Sequence, residues 1–424
     1  MKLLRASSLF RHSTVTLAIR AIGMALLLGL HVALARALGA EEYGIYSFAM
    51  SVAGVLVGLT ALGLPTALTR YICEYEEKHQ DGLLRGALLS LPLTALLVGG
   101  LFAVALYLSV APLLDQPERA GVQYAAILLP VLVFEKIRRQ YARARGHAIR
   151  SILPDELIRP AAMLIALLFA SIVDASQALV LFGAVTLATS LGFFVPGWTA
   201  QLLTLRDTIA EFQQREWMIT ALPMALAGMS YILLSRTDVI MMGALADMKS
   251  TGVYAAANRL AMLNQVVLST ITVVVTPLVT RAWHGGRPLE VQGHLSHARR
   301  WLIGFSGLLS VMLFVFAPTL LALFGDEYAA GASVLRILVI GQFANAVAGP
   351  VGTILSMSGK QKENASIMLM AALCNIALNS ALIPRYGGEG AAAASMICML
   401  LLNLLLMWRV HTLITTAKTD GVTS

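Results

Sequence analysis

Residues 229–248 read MSYILLSRTDVIMMGALADM. Leucine, isoleucine and methionine surround one arginine and one aspartate, Arg236 and Asp238, in a stretch long enough to cross a bilayer as a helix. At i and i+2 on a helix the two charges point about 200° apart and cannot neutralise each other. A guanidinium or carboxylate at that depth costs about 2.5–3.5 kcal/mol on insertion scales, and such groups face a bundle interior or a watery cavity. Each therefore needs a partner from another part of the chain.

The rest of the chain fits that reading. Of 424 residues, 58% are hydrophobic and only 13% charged, about half the charge of a soluble domain. Aromatics make up 7% and Leu, Ala, Val, Ile and Met supply most of the apolar mass, which suits α-helical spans rather than an alternating barrel. Apolar segments of about 20 residues recur at 14–37, 44–69, 86–110, 121–142, 152–173, 177–203, 217–244, 252–280, 301–324, 330–357, 365–384 and 389–410. The fold class expected is an all-α integral membrane protein of about twelve transmembrane helices. Proline recurs in nearly every span, as in helices that bend during a working cycle.

Lysine and arginine sort by loop. The two tails and the even-numbered connections hold 22 of them and the odd-numbered ones 4, which puts both termini and the segment 136–150 in the cytoplasm. The net charge of +8 is thus a topology signal, and nucleic acid is not an expected partner. The basic start, MKLLRASSLFRH, precedes an apolar run too long for a signal peptide, so no cleavage is expected. Cys73, Cys374 and Cys398 offer no disulfide framework, and the eight histidines show no metal spacing. No metal and no cofactor are expected.

Five arginines remain inside the spans: Arg20, Arg159, Arg236, Arg259 and Arg336. Counting from the turn near Met248, Asp238 lies ten residues back and Arg259 eleven forward, so an antiparallel helix pair predicts an Asp238–Arg259 ion pair that is a structural staple or a coupling site. Arg236 then faces the bundle centre. Arg20, two turns into the first span, extends a cationic path suited to phosphate. In ILPDELIRP, 152–160, Asp155 and Arg159 at i, i+4 are expected to pair. Arg336 is close to a helix start and is expected to snorkel to the interface.

An internal repeat divides the chain. ALGAEEYGIYSFAMSVAGVLVGLTALGLPTALTR, 37–70, and ALADMKSTGVYAAANRLAMLNQVVLSTITVVVTPLVTR, 244–281, share a turn, a Gly-x-Tyr start and a Pro–Leu–Thr–Arg-like end. Gly44 and Tyr46 correspond to Gly252 and Tyr254, 208 residues on. Two six-helix lobes of like orientation follow, 1–210 and 211–424, related by a pseudo-twofold along the membrane normal.

These residues carry a resemblance. The segments 36–70, RARGHAIRSILPDELIRP at 143–160, SRTDVIMMGALADMKSTGVYAAANRL at 235–260 and LFGDEYAAGASVLRIL at 323–338 resemble, in order, landmarks of the polysaccharide biosynthesis (O-antigen flippase-like) family. That family lies within the multidrug/oligosaccharidyl-lipid/polysaccharide exporter superfamily. The resemblance implies two pseudo-symmetric six-helix lobes around a central cavity open alternately to either side. It implies an undecaprenyl-diphosphate-linked oligosaccharide as cargo, flipped across the bacterial cytoplasmic membrane, with basic residues engaging the diphosphate. That role falls on Arg20 and Arg236, with Arg159 a further candidate. Membrane lipids, and a polysaccharide polymerase or glycosyltransferases, are the implied partners, and no enzymatic chemistry is required. A cation-coupled drug exporter of the same fold, a membrane glycosyltransferase or polymerase, and a non-transporting assembly subunit stay open as alternatives.

Overall fold

Backbone polar groups have no water to bond inside a bilayer, so a chain this apolar must satisfy them within helices. The computed structural model describes residues 2–169 and 172–422, and every regular element among them is helical. Positions 170–171, in the last turn of the predicted span 152–173, lie outside the described residues. Eight helical stretches are long and apolar enough to cross a membrane. Two of these fold back at a glycine, and two more membrane-length helical segments, 148–169 and 214–245, bring the described crossings to twelve.

The helices group into two compact units, 1–232 and 233–424. The first holds α1 (Lys2–Thr60), α2 (Leu64–Glu77), α3 (Asp81–Ala105), α4 (Glu118–Ala144), α5 (Ala148–Leu153), α6 (Arg159–Phe169), α7 (Ala175–Thr204) and the first part of α8 (Gln214–Leu245). α1 is two helices. Gly39 has φ 75°, a conformation open to glycine and strained for other residues, and beyond it Tyr43 OH lies 3.1 Å from His31 Nδ1. The apolar core of this unit runs from Leu64, Tyr71 and Leu88 through Leu129 and Phe194 to Trp217.

The unit boundary therefore falls inside α8, not in the connector at 210/211. Packing explains the difference. Trp217 is fully buried and donates its indole N–H to Tyr75 OH at 2.9 Å. Gly63, at φ 70°, brings α2 so close to α8 that a Cβ there would stand 2.2 Å from the Ala221 carbonyl. The start of α8 is core material of the first unit, which no hydropathy window can register.

The second unit holds the remainder of α8, then α9 (Met248–Ala261), α10 (Leu263–His284), α11 (Pro288–Val315), α12 (Ala317–Ala322), α13 (Ala332–Ala348), α14 (Val351–Met357) and α15 (Gln361–Val422). α15 folds back at Gly387, φ 53°, and its returning arm is so close that a Cβ on Gly390 would stand 2.4 Å from the Leu382 carbonyl. Val275, Val279, Ile354, Leu355, Leu402 and Leu406 form the unit's core. Outward faces are as apolar as the cores: Leu93, Leu97 and Leu101 on α3, and Leu308, Val311 and Val315 on α11, stand exposed as hydrocarbon requires. Prolines 92, 130, 196, 223, 277 and 384 lie within continuous helices. Pro154 opens a π turn and Pro350 separates α13 from α14.

Two helices start on an aspartate cap. Asp174 Oδ1 accepts from Gln177 N and Asp247 Oδ1 from Ser250 N, both at 2.8 Å. The Ser250 amide holds the Asp247 carboxyl below its ordinary value; for Asp174 the Ser176 hydroxyl does so first and the Gln177 amide second. A carboxyl lowered on folding stabilises above its unfolded pKa, and the contribution is lost as pH falls through the folded value. Asp247→Ala is therefore expected to cost about 1 kcal/mol at pH 7. The gap to the parent protein closes as the pH is taken below the usual carboxylate range, which melting curves of both proteins at matched pH measure.

Candidate functional site

Each unit buries a polar cluster within its helices. In the second unit it centres on Asp238. Tyr254 OH donates to Asp238 Oδ2 at 3.1 Å, Asn379 Nδ2 donates to Oδ1 at 2.9 Å, and Ser395 Oγ donates to Oδ2. Asn379 Nδ2 also lies 3.0 Å from Asn375 Oδ1. Asn379 and Ser395 each stand eight residues from Gly387, one on either arm of α15, so the fold-back delivers both to one carboxylate. Tyr254, Asn375 and Asn379 are fully buried, and Asn379 Oδ1 has no hydrogen-bond partner.

The predicted Asp238–Arg259 pair is not formed. Among the described residues Asp238 accepts only from these neutral donors, and Arg259 is partly buried elsewhere on α9. Helix phase is the reason. The face of α9 that meets Asp238 carries Tyr254, and Arg259, five residues on, lies about 140° round the helix. Arg236 is partly buried and is not among the groups bonded to Asp238.

An aspartate surrounded by neutral hydroxyls and amides is a different chemical object from an ion pair. The carboxylate, the carbonyl oxygens of Asn375 and Asn379, and the hydroxyls of Ser395 and Tyr254 form an all-oxygen donor set carrying one formal negative charge. Oxygen donors suit hard cations, and one charge matches a proton or a monovalent ion. Among the described residues no three His, Cys, Asp or Glu side chains converge as a transition-metal site would require.

In the first unit the cluster is charged throughout. Arg138, 1% exposed, meets Asp155 at 2.5 Å; Arg139 meets Asp155 at 2.9 Å and Glu135 at 2.7 Å; Arg159 meets Glu135 at 3.3 Å. The Arg159 guanidinium also lies 4.8 Å from the centre of the Phe182 ring. The predicted Asp155–Arg159 pair is therefore replaced by pairs to α4. Residues 154–158 form a π turn, bonded i→i+5 rather than i→i+4, so positions four apart no longer stack. α4 also runs on as helix to Ala144, so Arg138, expected in the 136–150 connection, is a buried group rather than a loop charge.

Arg20 sits at the edge of this cluster, 3.9 Å from Glu156, with its side chain 46% exposed. Gly23, one turn on, packs α1 directly on the π turn: a Cβ there would stand 2.6 Å from the Glu156 carbonyl. Two of the three arginines picked out in the sequence, Arg20 and Arg159, thus converge on one region of one unit. Arg336 is held apart from both clusters, donating Nε–H to the Phe314 carbonyl at 3.2 Å.

The residues around Asp238 on α15 were missed by the sequence reading. Their signal was present: Asn375 and Asn379, four apart in CNIALNS at 374–380, form a polar stripe on one face of an otherwise apolar span. The two tyrosines aligned in the sequence both reach back to the preceding helical arm. Tyr254 bonds Asp238 on the preceding helix, and its counterpart Tyr46 sets its ring edge on His31 with centroids 6.4 Å apart.

Comparison with known proteins agrees with this architecture. A family model described as polysaccharide biosynthesis protein matches residues 9–283, and the MatE model matches 223–380. No curated protein matches the sequence. Among solved structures, the chain is similar to the inward-facing conformation of a multidrug resistance MATE family transporter of the MOP superfamily, with TM-score 0.72 at 14% identity over 95% of this chain and 99% of that one. It is also similar to a MOP superfamily transporter from Pyrococcus furiosus, with TM-score 0.56 at 15% identity over 95% of this chain and 96% of that one. At such identities the likeness concerns fold, that of an all-α multi-pass membrane transporter. The match over 9–283 carries the assignment, and the chain belongs to the polysaccharide biosynthesis protein family.

Proposed function

We propose that this protein flips a lipid-linked oligosaccharide, of the undecaprenyl-diphosphate class, across the bacterial cytoplasmic membrane by alternating access, with both termini cytoplasmic. Moving a sugar diphosphate through about 30 Å of hydrocarbon would strip its hydration. A polar, partly cationic path replaces those hydrogen bonds while the polyprenyl tail stays in lipid. The observation that carries the reading is Arg20. It stands half-exposed within an apolar span, with Glu156 3.9 Å away as its ion-pair partner and no hydrogen bond from its guanidinium among the described residues. Five planar donors at that depth suit a diphosphate, and Arg236 is the corresponding candidate in the second unit.

Asp238 supplies the coupling in this reading, taking up a proton or a monovalent cation in one state and releasing it in the other. The same site favours a second reading, cation-coupled export of drugs by the same fold. Proteoliposomes loaded with radiolabelled lipid-linked sugar separate the two. Flipping of the sugar lipid supports the first; export of dyes or cationic drugs with no movement of sugar lipid replaces it with the second. Within the first reading, Arg20→Ala and Arg236→Ala each lower flipping about ten- to a hundredfold, the loss of one charged hydrogen-bond contact. Arg336→Ala at equal expression leaves it near the parent rate. Equal rates in all three variants would remove the arginines from the cargo path.

A further inference from the structure

On the first unit a cavity of about 730 Å³ lies between α4 and the last turns of α7, next to the charged cluster, whose Arg138 donates to the Arg150 carbonyl at 3.1 Å. Along α7 its floor is the exposed Gly192, Pro196, Gly197 and Ala200, with the half-buried Phe193 beside them. From Gly192 to Thr204 the groove follows α7 for about 18 Å, slightly more than one leaflet of a ~30 Å hydrocarbon core. It adjoins an exposed apolar stripe on the same helix, Leu187, Leu191 and Val195. Tyr141 forms the wall, its hydroxyl 2.9 Å from the Gly197 carbonyl and 2.9 Å from Gln201 Oε1.

The rim is polar and built from the segment after α4. Arg145 is neutralised by Glu76, which also accepts from Gln201 Nε2 at 2.9 Å. Asp81, in the first turn of α3, also lines the rim, and the helix N-terminus offsets part of its charge. That leaves His147 and Arg150, both exposed and neither engaged by a side chain among the described residues. An exposed guanidinium, Arg150, at the lip of a leaflet-long apolar groove suits the phosphate and acyl chain of one lipid molecule.

We propose that this groove holds an anionic glycerophospholipid from the leaflet next to the 145–150 segment, with one acyl chain along Gly192–Ala200 and the phosphodiester on Arg150 and His147. Basic pockets between membrane helices bind anionic head groups in this way, and the volume falls in the usual range for a ligand site. The proposal does not depend on the identity of the cargo.

Native mass spectrometry of the full chain in detergent tests it, with phosphatidylglycerol and phosphatidylcholine of identical chains added at equal concentration. One phosphatidylglycerol is expected to stay bound about tenfold more strongly than phosphatidylcholine. His147→Gln with Arg150→Gln brings the two lipids level, whereas Ala200→Trp, which fills the groove, weakens both. Arg299→Gln with Arg300→Gln, a pair of exposed cations in the second unit, leaves the preference intact. The proposal is overturned if the preference survives the His147/Arg150 exchange, if it falls equally in the Arg299/Arg300 control, or if the spectra show a protein dimer with no lipid adduct.

Discussion

Asp238→Asn is expected to reduce gradient-driven transport to the level of empty liposomes while leaving a folded protein. The substitution keeps the shape and removes the charge. Ser395 and Tyr254 both donate to Oδ2 and Asn379 to Oδ1, and an amide presents an acceptor to only one of those two sides. On the proposed coupling role, the site then loses its affinity for a proton or cation, and with it the step that ties an ion gradient to movement of cargo. Downhill exchange of cargo, which needs no ion, should persist. Proteoliposomes with and without an imposed proton or sodium gradient measure both. If Asp238→Asn accumulates cargo at the parent rate under a gradient, the carboxylate has no coupling role, and the neutral shell around it is packing alone.

The second large effect is on stability. Asp155→Ala should destabilise the first unit by about 3–5 kcal/mol, because it leaves the buried Arg138 without its carboxylate, while the more exposed Arg139 keeps Glu135. Arg138 is the more vulnerable, since its Nε is already buried without a hydrogen-bond partner. Replacing the pair together, Arg138→Met with Asp155→Leu, should recover most of the loss, as buried ion pairs often compare poorly with well-packed apolar residues. Removing the more exposed Arg145–Glu76 pair should cost no more than about 1 kcal/mol. Melting of the purified variants in one detergent ranks the three. A melting point for Asp155→Ala within a degree of the parent would show that water or lipid head groups reach this network and that it is not sealed.

The two substitutions probe different links between sequence and function. The clusters differ in the physics that specifies them, and that difference decided which was legible in advance. Arg20 and Arg159 were found because a guanidinium in an apolar run is conspicuous whatever surrounds it. Asn375, Asn379 and Ser395 are neutral, small and tolerated in membrane helices, so each alone carries little signal. Only their convergence on Asp238 gives them a role.

Sequence by itself determined that the chain crosses a membrane as helices, where the segments fall and which family they resemble, and it offers the match of Gly44–Tyr46 with Gly252–Tyr254 as an expected repeat. Those properties are local or additive: hydropathy summed over about 20 residues and a recurring short motif suffice. Tertiary structure alone decided the partners. A π turn at 154–158 turned Asp155 from Arg159 to Arg138, the phase of α9 gave Asp238 to Tyr254 rather than Arg259, and the fold-back at Gly387 brought Asn379 and Ser395 to the same carboxylate. A partner across helices depends on rotation about each axis, and a single added residue in one turn shifts it. Averages along the chain cannot register that shift, but a hydrogen bond does.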